Sequence, residues 1–186
     1  MTAQTWLRRA APWAGAAVLL VAAWGVGVAT PPEYAIEPAH VVTAQIGEEA
    51  GGRNIVATVT DVRAARGAST PTWQAPGTWL VVDLDAAAVV SSAAGLRGVT
   101  LQIGDLTFRA SERMESFFGQ RLVAGVPRSG SVAFELPEGA LTGTAVLSFS
   151  TGSDTRGDSV IQVPIDLDAL PVAADAELLP NGWSAR

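Results

Sequence analysis

The stretch Leu101-Gln102-Ile103-Gly104-Asp105-Leu106-Thr107-Phe108 decides the fold class. Folded back at Gly104-Asp105, a dipeptide suited to the positive backbone angles of a two-residue hairpin loop, it sets Ile103 against Leu106, Gln102 against Thr107 and Leu101 against Phe108. Both outer pairs are apolar and the middle pair is polar, so one face is ready for a core and the other for water. The same period of two continues outward. Val132, Phe134 and Leu136 alternate with Ser131, Ala133 and Glu135; Ala145, Leu147 and Phe149 form a second apolar row. Ile161, Val163, Ile165 and Leu167 form a third, against Gln162, Pro164, Asp166 and Asp168. Pro164 has no amide to donate, which predicts that this last strand lies at a sheet edge.

Short β-type runs bounded by Gly, Pro, Ser and Asp are expected near 40–46, 54–62, 78–86, 99–103, 106–110, 121–126, 131–136, 144–150 and 160–167. That spacing suits a mainly β protein, a sandwich built over residues 40–167. Residues 63–77 and 86–98 read as loops, and 168–186 as an acidic flexible tail. One segment breaks the pattern. Ser111 can cap a helical turn through Phe118 that Gly119 would end, and such a turn places Met114, Phe117 and Phe118 on one face.

The first thirty residues differ in kind. After a short N-terminus, 1–9, residues 10–30 carry no charge and are rich in Ala, Val, Leu and Gly. As a helix this run reaches roughly 31 Å, the thickness of a bilayer's hydrocarbon core. Pro12 suits a first helical turn and Pro31-Pro32 stops the helix. Arg8 and Arg9 precede the run, whereas Glu33 and Glu37 follow it and no arginine appears until Arg53. The positive-inside rule then predicts a single-pass transmembrane signal anchor with a cytoplasmic N-terminus, an extracytoplasmic domain and contact with the lipid bilayer through residues 10–30. A competing reading is a secretory signal cleaved after Ala29, since Gly27 and Ala29 are small at the required spacing. The run exceeds a usual signal core, and Trp13 and Trp24 suit an anchored helix better. Residues 31–39, with three prolines, read as a spacer.

Composition removes most chemistry. The chain of 186 residues has no Cys, and its 12 basic residues are all Arg. Thiolate metal sites, disulfides, cysteine nucleophiles and lysine Schiff bases are therefore excluded. Beyond residue 30 ten arginines face all 18 acids, a balance that repels nucleic acid. His40 is the only imidazole; it sits at the start of the first strand, and no Gly-x-Ser-x-Gly elbow exists to serve it. Asp83/Asp85 and Asp166/Asp168 each project two carboxylates from one strand face, and Gly152 to Ser159 holds Asp154 and Asp158 in a turn. A calcium site needs six to eight oxygens and no dedicated loop supplies them; the 152–159 segment reads as a solvated turn between strands. Arg156-Gly157-Asp158 spells an adhesion tripeptide, which a chain with this composition reaches by chance.

An apolar anchor, a proline-containing spacer, the strand Trp79-Leu80-Val81-Val82-Asp83-Leu84, the Leu101–Phe108 hairpin and the run Val126 to Pro137 ending in Phe134-Glu135-Leu136-Pro137 together resemble a family. It comprises immunoglobulin-like extracytoplasmic domains of unknown function from Gram-positive bacteria, some of which carry the misleading label telomeric repeat-binding factor. The likeness spans about residues 40–167. It implies an immunoglobulin-like β-sandwich with no catalytic residues and no cofactor. Two departures stand out: no lipobox cysteine is present, so the helix must anchor the chain, and Ala86-Ala87-Ala88 replaces the polar residue that often ends the first long strand.

The expected function is a non-catalytic, membrane-anchored binding or accessory module that contacts another envelope or membrane protein. Met114, Phe117, Phe118 and Trp73 are its candidate contact residues, Met and aromatic anchors being what interfaces favour. Burial of the first three in the core is the plainer account of their spacing. An anchored or secreted hydrolase or sugar-binding domain built on a carboxylate pair is the alternative, and a structural spacer or stress-sensing ectodomain is a third.

Overall fold

The computed structural model describes residues 3–30, 39–90, 95–155 and 157–183; over 3–14, only the side chain of Trp13 is described. The spacer at 31–38 and Arg156 of the adhesion tripeptide lie outside the described residues, as do the side chains of Arg8 and Arg9. The chain divides into two units, residues 1–38 and 39–186.

The first unit is one helix, α1 (Ala3–Ala29). Thr30 closes it, its amide and its hydroxyl both donating to the Val26 carbonyl. The large apolar side chains described on it, from Trp13 through Leu19, Leu20 and Trp24 to Val28, are all exposed, each by about two-thirds or more. Among the described residues no helix is long and apolar enough to cross a membrane.

The second unit is mainly β. Its strands are β1 (His40–Thr43), β2 (Glu49–Gly51), β3 (Ile55–Thr70), β4 (Trp73–Ala88), β5 (Gly98–Ile103), β6 (Leu106–Arg109), β7 (Arg128–Leu136), β8 (Thr144–Ser150), β9 (Ser159–Asp166), β10 (Val172–Ala173), β11 (Ala176–Glu177) and β12 (Gly182–Trp183). One sheet runs β1-β9-β8-β5-β6, the other β10-β3-β4-β7-β12, with β2 and β11 also paired to β3. The main core lies between them. Leu101, Leu147, Phe149, Ile161, Val163 and Ile165 meet Ile55, Leu80, Val82, Leu84, Val132 and Phe134, all buried. Each large apolar side chain so buried contributes on the order of 1.5–3 kcal/mol.

The three apolar rows read from the sequence face this core, and the Gly104 hairpin has the expected register, with Ile103 opposite Leu106 and Leu101 opposite Phe108. Gly104 supplies the positive φ, 56°, that its loop needs. Pro164 requires a refinement. β9 is second from the edge, not at it, because β1 lies parallel to it over Ser159–Gln162; Pro164 falls past the end of β1, where no donor is required.

Four expectations are corrected. Residues 63–77 are not a loop: β3 and β4 form one long hairpin, in register from Ile55/Ala88 to Thr70/Trp73, with irregularities at Val59/Asp61 and Ala65/Gly67. The 121–126 strand reduces to isolated bridges, such as Gly95 to Arg121. The described part of the 168–186 tail is not loose, for β10 and β11 run parallel to β3 and β12 runs antiparallel to β7. These pairings close a second apolar cluster on the outer face of that sheet, where Ala65, Ala68, Trp79, Val81 and Ala133 are covered by Ala176, Leu178 and Met114. The middle of β4 is therefore buried on both faces, from Trp79 through Leu84.

The fourth correction concerns 111–118, which is irregular rather than helical. Its amides are used elsewhere: Ser111 N–H donates to the Ala133 carbonyl and Phe117 N–H to the Ser131 carbonyl, each at 2.7 Å. The segment thus satisfies part of the free edge of β7, which a helical turn here would leave unpaired. Ser111 and Ser116 close small side-chain turns instead, accepting from Arg113 N–H and Phe118 N–H.

A buried polar network ties the sheet to the C-terminal segment. Asp83 on β4 takes two contacts of 2.7 Å from Nη2 of Arg63 on β3 and one of 2.5 Å from the Ser131 hydroxyl on β7. Ser131 Oγ in turn accepts Leu179 N–H at 2.8 Å, and Arg63 Nη1 donates to the Glu177 carbonyl at 3.0 Å. One carboxylate thereby organises three strands and the segment that follows β11.

Candidate functional site

Period-two alternation leaves β5 and β8 with a polar outer face once Val99, Leu101, Leu147 and Phe149 point into the core. The register places Thr100 opposite Ser148 and Gly98 opposite Ser150, while the hairpin sets Arg109 opposite Thr100. These residues floor a groove of about 340 Å³, walled by Arg97 ahead of β5, Glu112 and Phe118 from the irregular segment, Val160 on β9, and the turn bearing Gly152, Ser153 and Thr155. The volume is at the small end of the range for organic ligands.

Close backbone approach shapes one wall. A Cβ on Gly98 would lie 1.9 Å from Ser150 Oγ and 2.3 Å from the Gly152 carbonyl oxygen, so only glycine lets the turn settle onto β5. Ser150 Oγ holds it there, donating its one proton to the Gly152 carbonyl at 2.7 Å, with the Gly98 carbonyl as the longer alternative acceptor at 3.3 Å. The far side of the turn is fixed by Asp158, which accepts from Asn54 Nδ2, Ser159 N–H and Thr151 Oγ1 at 2.8, 2.7 and 3.1 Å. Burial works against the Asp158 charge, but the bonds from Asn54, Ser159 and Thr151, with Arg53 nearby, outweigh it and hold the carboxyl below its ordinary 3.8.

The groove's charges are exposed and uncommitted. Arg63 pairs with Asp61 and Asp83, and Arg113 with Glu135. Among the described residues Arg97, Arg109 and Glu112 have no ion pair, although all three line the same groove. It therefore presents two guanidinium forks, a row of hydroxyls and an apolar strip of Phe118 and Val160, with one carboxylate on the rim.

Of the contact residues singled out from sequence, Phe118 lines this groove and Met114, Phe117 and Trp73 do not. Phe117 is fully buried in the main core, Phe118 packs partly against it, and Met114 lies in the outer cluster. They do not share one exposed face. Trp73 is half-buried, edge-on to Trp79 at 5.7 Å, with the Arg113 guanidinium 5.6 Å from its ring. His40 is exposed at the start of β1. Asp83 belongs to the buried network, and Asp166 accepts the Asp168 amide in a turn. No group of three metal-ligating side chains occurs among the described residues. Arg97, Arg109 and Ser148 were not singled out; the hairpin register already sets Arg109 beside Thr100, but the pairing of β5 with β8 that completes the groove is non-local.

No protein-family model matches the chain, and no curated protein matches it. Two solved structures are similar. One is a candidate lipoprotein from Staphylococcus aureus, 10% identical, covering 72% of this chain and 97% of its own, with a TM-score of 0.49. The other is the yjhA protein from Bacillus subtilis, 16% identical, covering 64% of this chain and 98% of its own, with a TM-score of 0.42.

Proposed function

We propose that the chain is a membrane-held, extracytoplasmic binding or accessory module: an immunoglobulin-like sandwich, anchored by α1, that engages another component of the cell envelope without catalysing a reaction. The observation that carries this reading is in the sequence: the run from Ala10 to Thr30 is uncharged and is preceded by Arg8 and Arg9. The large apolar side chains described on α1 are exposed. The binding half of the reading rests on the groove, and the non-catalytic half on the engagement of Asp83 in a structural network.

Fractionation of cells making the full chain tests it. The protein is expected in membranes after alkaline wash, with the sandwich digested by protease added to intact protoplasts. Recovery from the medium as a chain starting at Thr30, or resistance to external protease, overturns the anchored topology. Affinity capture from detergent-solubilised membranes is expected to bring down a stoichiometric envelope protein.

A further inference from the structure

We propose that the groove over β5 and β8 binds a small hydroxylated organic acid, a sugar phosphate or a sugar carboxylate, through Arg97 and Arg109. This deepens the binding-module reading by naming a ligand class, and it does not depend on how the chain is anchored.

Three observations converge. Arg97 and Arg109 face one cavity with no ion pair among the described residues, so their donors are free for an oxyanion. Planar guanidinium forks match carboxylate and phosphate oxygens in pairs. On the same floor Thr100 and Ser148, opposite each other in the register, supply hydroxyls that are each both donor and acceptor. Such a pair suits a ligand with several hydroxyls better than a bare ion. Phe118 and Val160 add the apolar strip on which the carbon face of a sugar ring can lie, and Glu112 on the rim can accept its hydroxyls.

Size and field narrow the class. A volume of about 340 Å³ accepts a monosaccharide-sized body. The chain as a whole carries −6, so a polyanion meets repulsion outside the groove that a compact ligand, within a Debye length of about 8 Å of the two arginines, largely escapes. A single acidic group on a small polyol fits; a nucleic acid does not.

The test is calorimetric titration of the full chain in detergent with glucose 6-phosphate, glucuronate and, as neutral control, glucose. Saturable binding of either acid with no measurable binding of glucose supports the proposal, and whichever acid binds names the oxyanion. Arg97→Ala and Arg109→Ala are each expected to weaken that binding roughly tenfold or more. Arg97→Lys, which keeps the charge but loses the fork, should fall between. Thr100→Val is expected to cost a few-fold, and Glu112→Gln to tighten inorganic phosphate while weakening the sugar acid. Both arginines are exposed, so unfolding midpoints of the variants should match the parent. The proposal is overturned if neither acid binds at millimolar concentration, if glucose binds as well as the acids, or if folded Arg97→Ala and Arg109→Ala bind like the parent. Membrane fractionation of the same variants should be unchanged, which separates this result from the anchoring one.

Discussion

Arg63→Ala isolates the network that holds the outer cluster closed. Asp83 is buried, with a side-chain exposure of 7%, and Arg63 is its only cation among the described residues. Removing one member of a buried pair costs about 3–5 kcal/mol, because the other charge is left without compensation. Arg63 is itself 31% exposed, so water can enter its place; we expect about 2–3 kcal/mol. At this chain length that lowers the thermal midpoint by roughly 4–12 °C. The assay is urea and thermal unfolding of the full chain in detergent, followed by tryptophan fluorescence. Asp83→Ala and the double variant complete a cycle, with a coupling of about 1–3 kcal/mol expected. Because Arg63 also holds the Glu177 carbonyl, the amides of Leu178 and Leu179 should exchange faster in Arg63→Ala than those of β8. A cost below about 0.5 kcal/mol, the range of an ordinary surface change, or an additive cycle, refutes the reasoning.

Other substitutions probe separate links. Gly98→Ala is expected to cost about 1–3 kcal/mol or more, since its Cβ would collide with Ser150 and Gly152, whereas Gly51→Ala, with open space around it, should stay within about 0.5 kcal/mol; urea midpoints check both. Phe117→Ala should lose about 3–5 kcal/mol by the same measurement, and Phe118→Ala, only partly buried, clearly less. Asp158 has a folded pKa below its unfolded value, so its contribution to stability is present above about 3.8 and is lost as pH falls through the folded value. Stability measured from pH 6 down to pH 2 should therefore decline less steeply on the acid side in Asp158→Asn than in the parent.

The sequence made much of the inner core legible because apolar residues recur with a period of two along β7, β8 and β9. The hairpin at Gly104 was readable for a further reason: loop chemistry and register agree within eight residues. Residues 63–77 gave no such signal, since Arg63-Ala64-Ala65-Arg66-Gly67-Ala68 has no large apolar side chain to mark a buried face. Its alanines are buried nonetheless: Ala64 in the main core, and Ala65 and Ala68 in the outer cluster with Trp79 and the segment bearing Ala176 and Leu178, more than 100 residues along the chain. The 111–118 segment misled in the opposite direction. Met114, Phe117 and Phe118 have helical spacing, but local pattern cannot register that the segment's amides are needed by β7. The groove was half legible: Arg109 beside Thr100 follows from the hairpin and Arg97 directly precedes β5, while Ser148 and Ser150 arrive through long-range pairing. Such non-local contacts are what single-segment reasoning lacks.

The two-sided burial of β4 has a consequence for how the molecule is made. During synthesis, Trp79, Val81 and Ala133 are complete and able to pair long before residues 176–183 leave the ribosome, yet those residues cover Trp79 and Val81 and extend the edge of β7. The nascent chain must therefore carry an apolar strip and an unfinished sheet margin through translation, the combination that chaperones recognise and that invites self-association. A fusion or truncation that delays or removes residues 176–183 prolongs that interval, so yield on expression should depend on this segment more steeply than its modest contact area suggests.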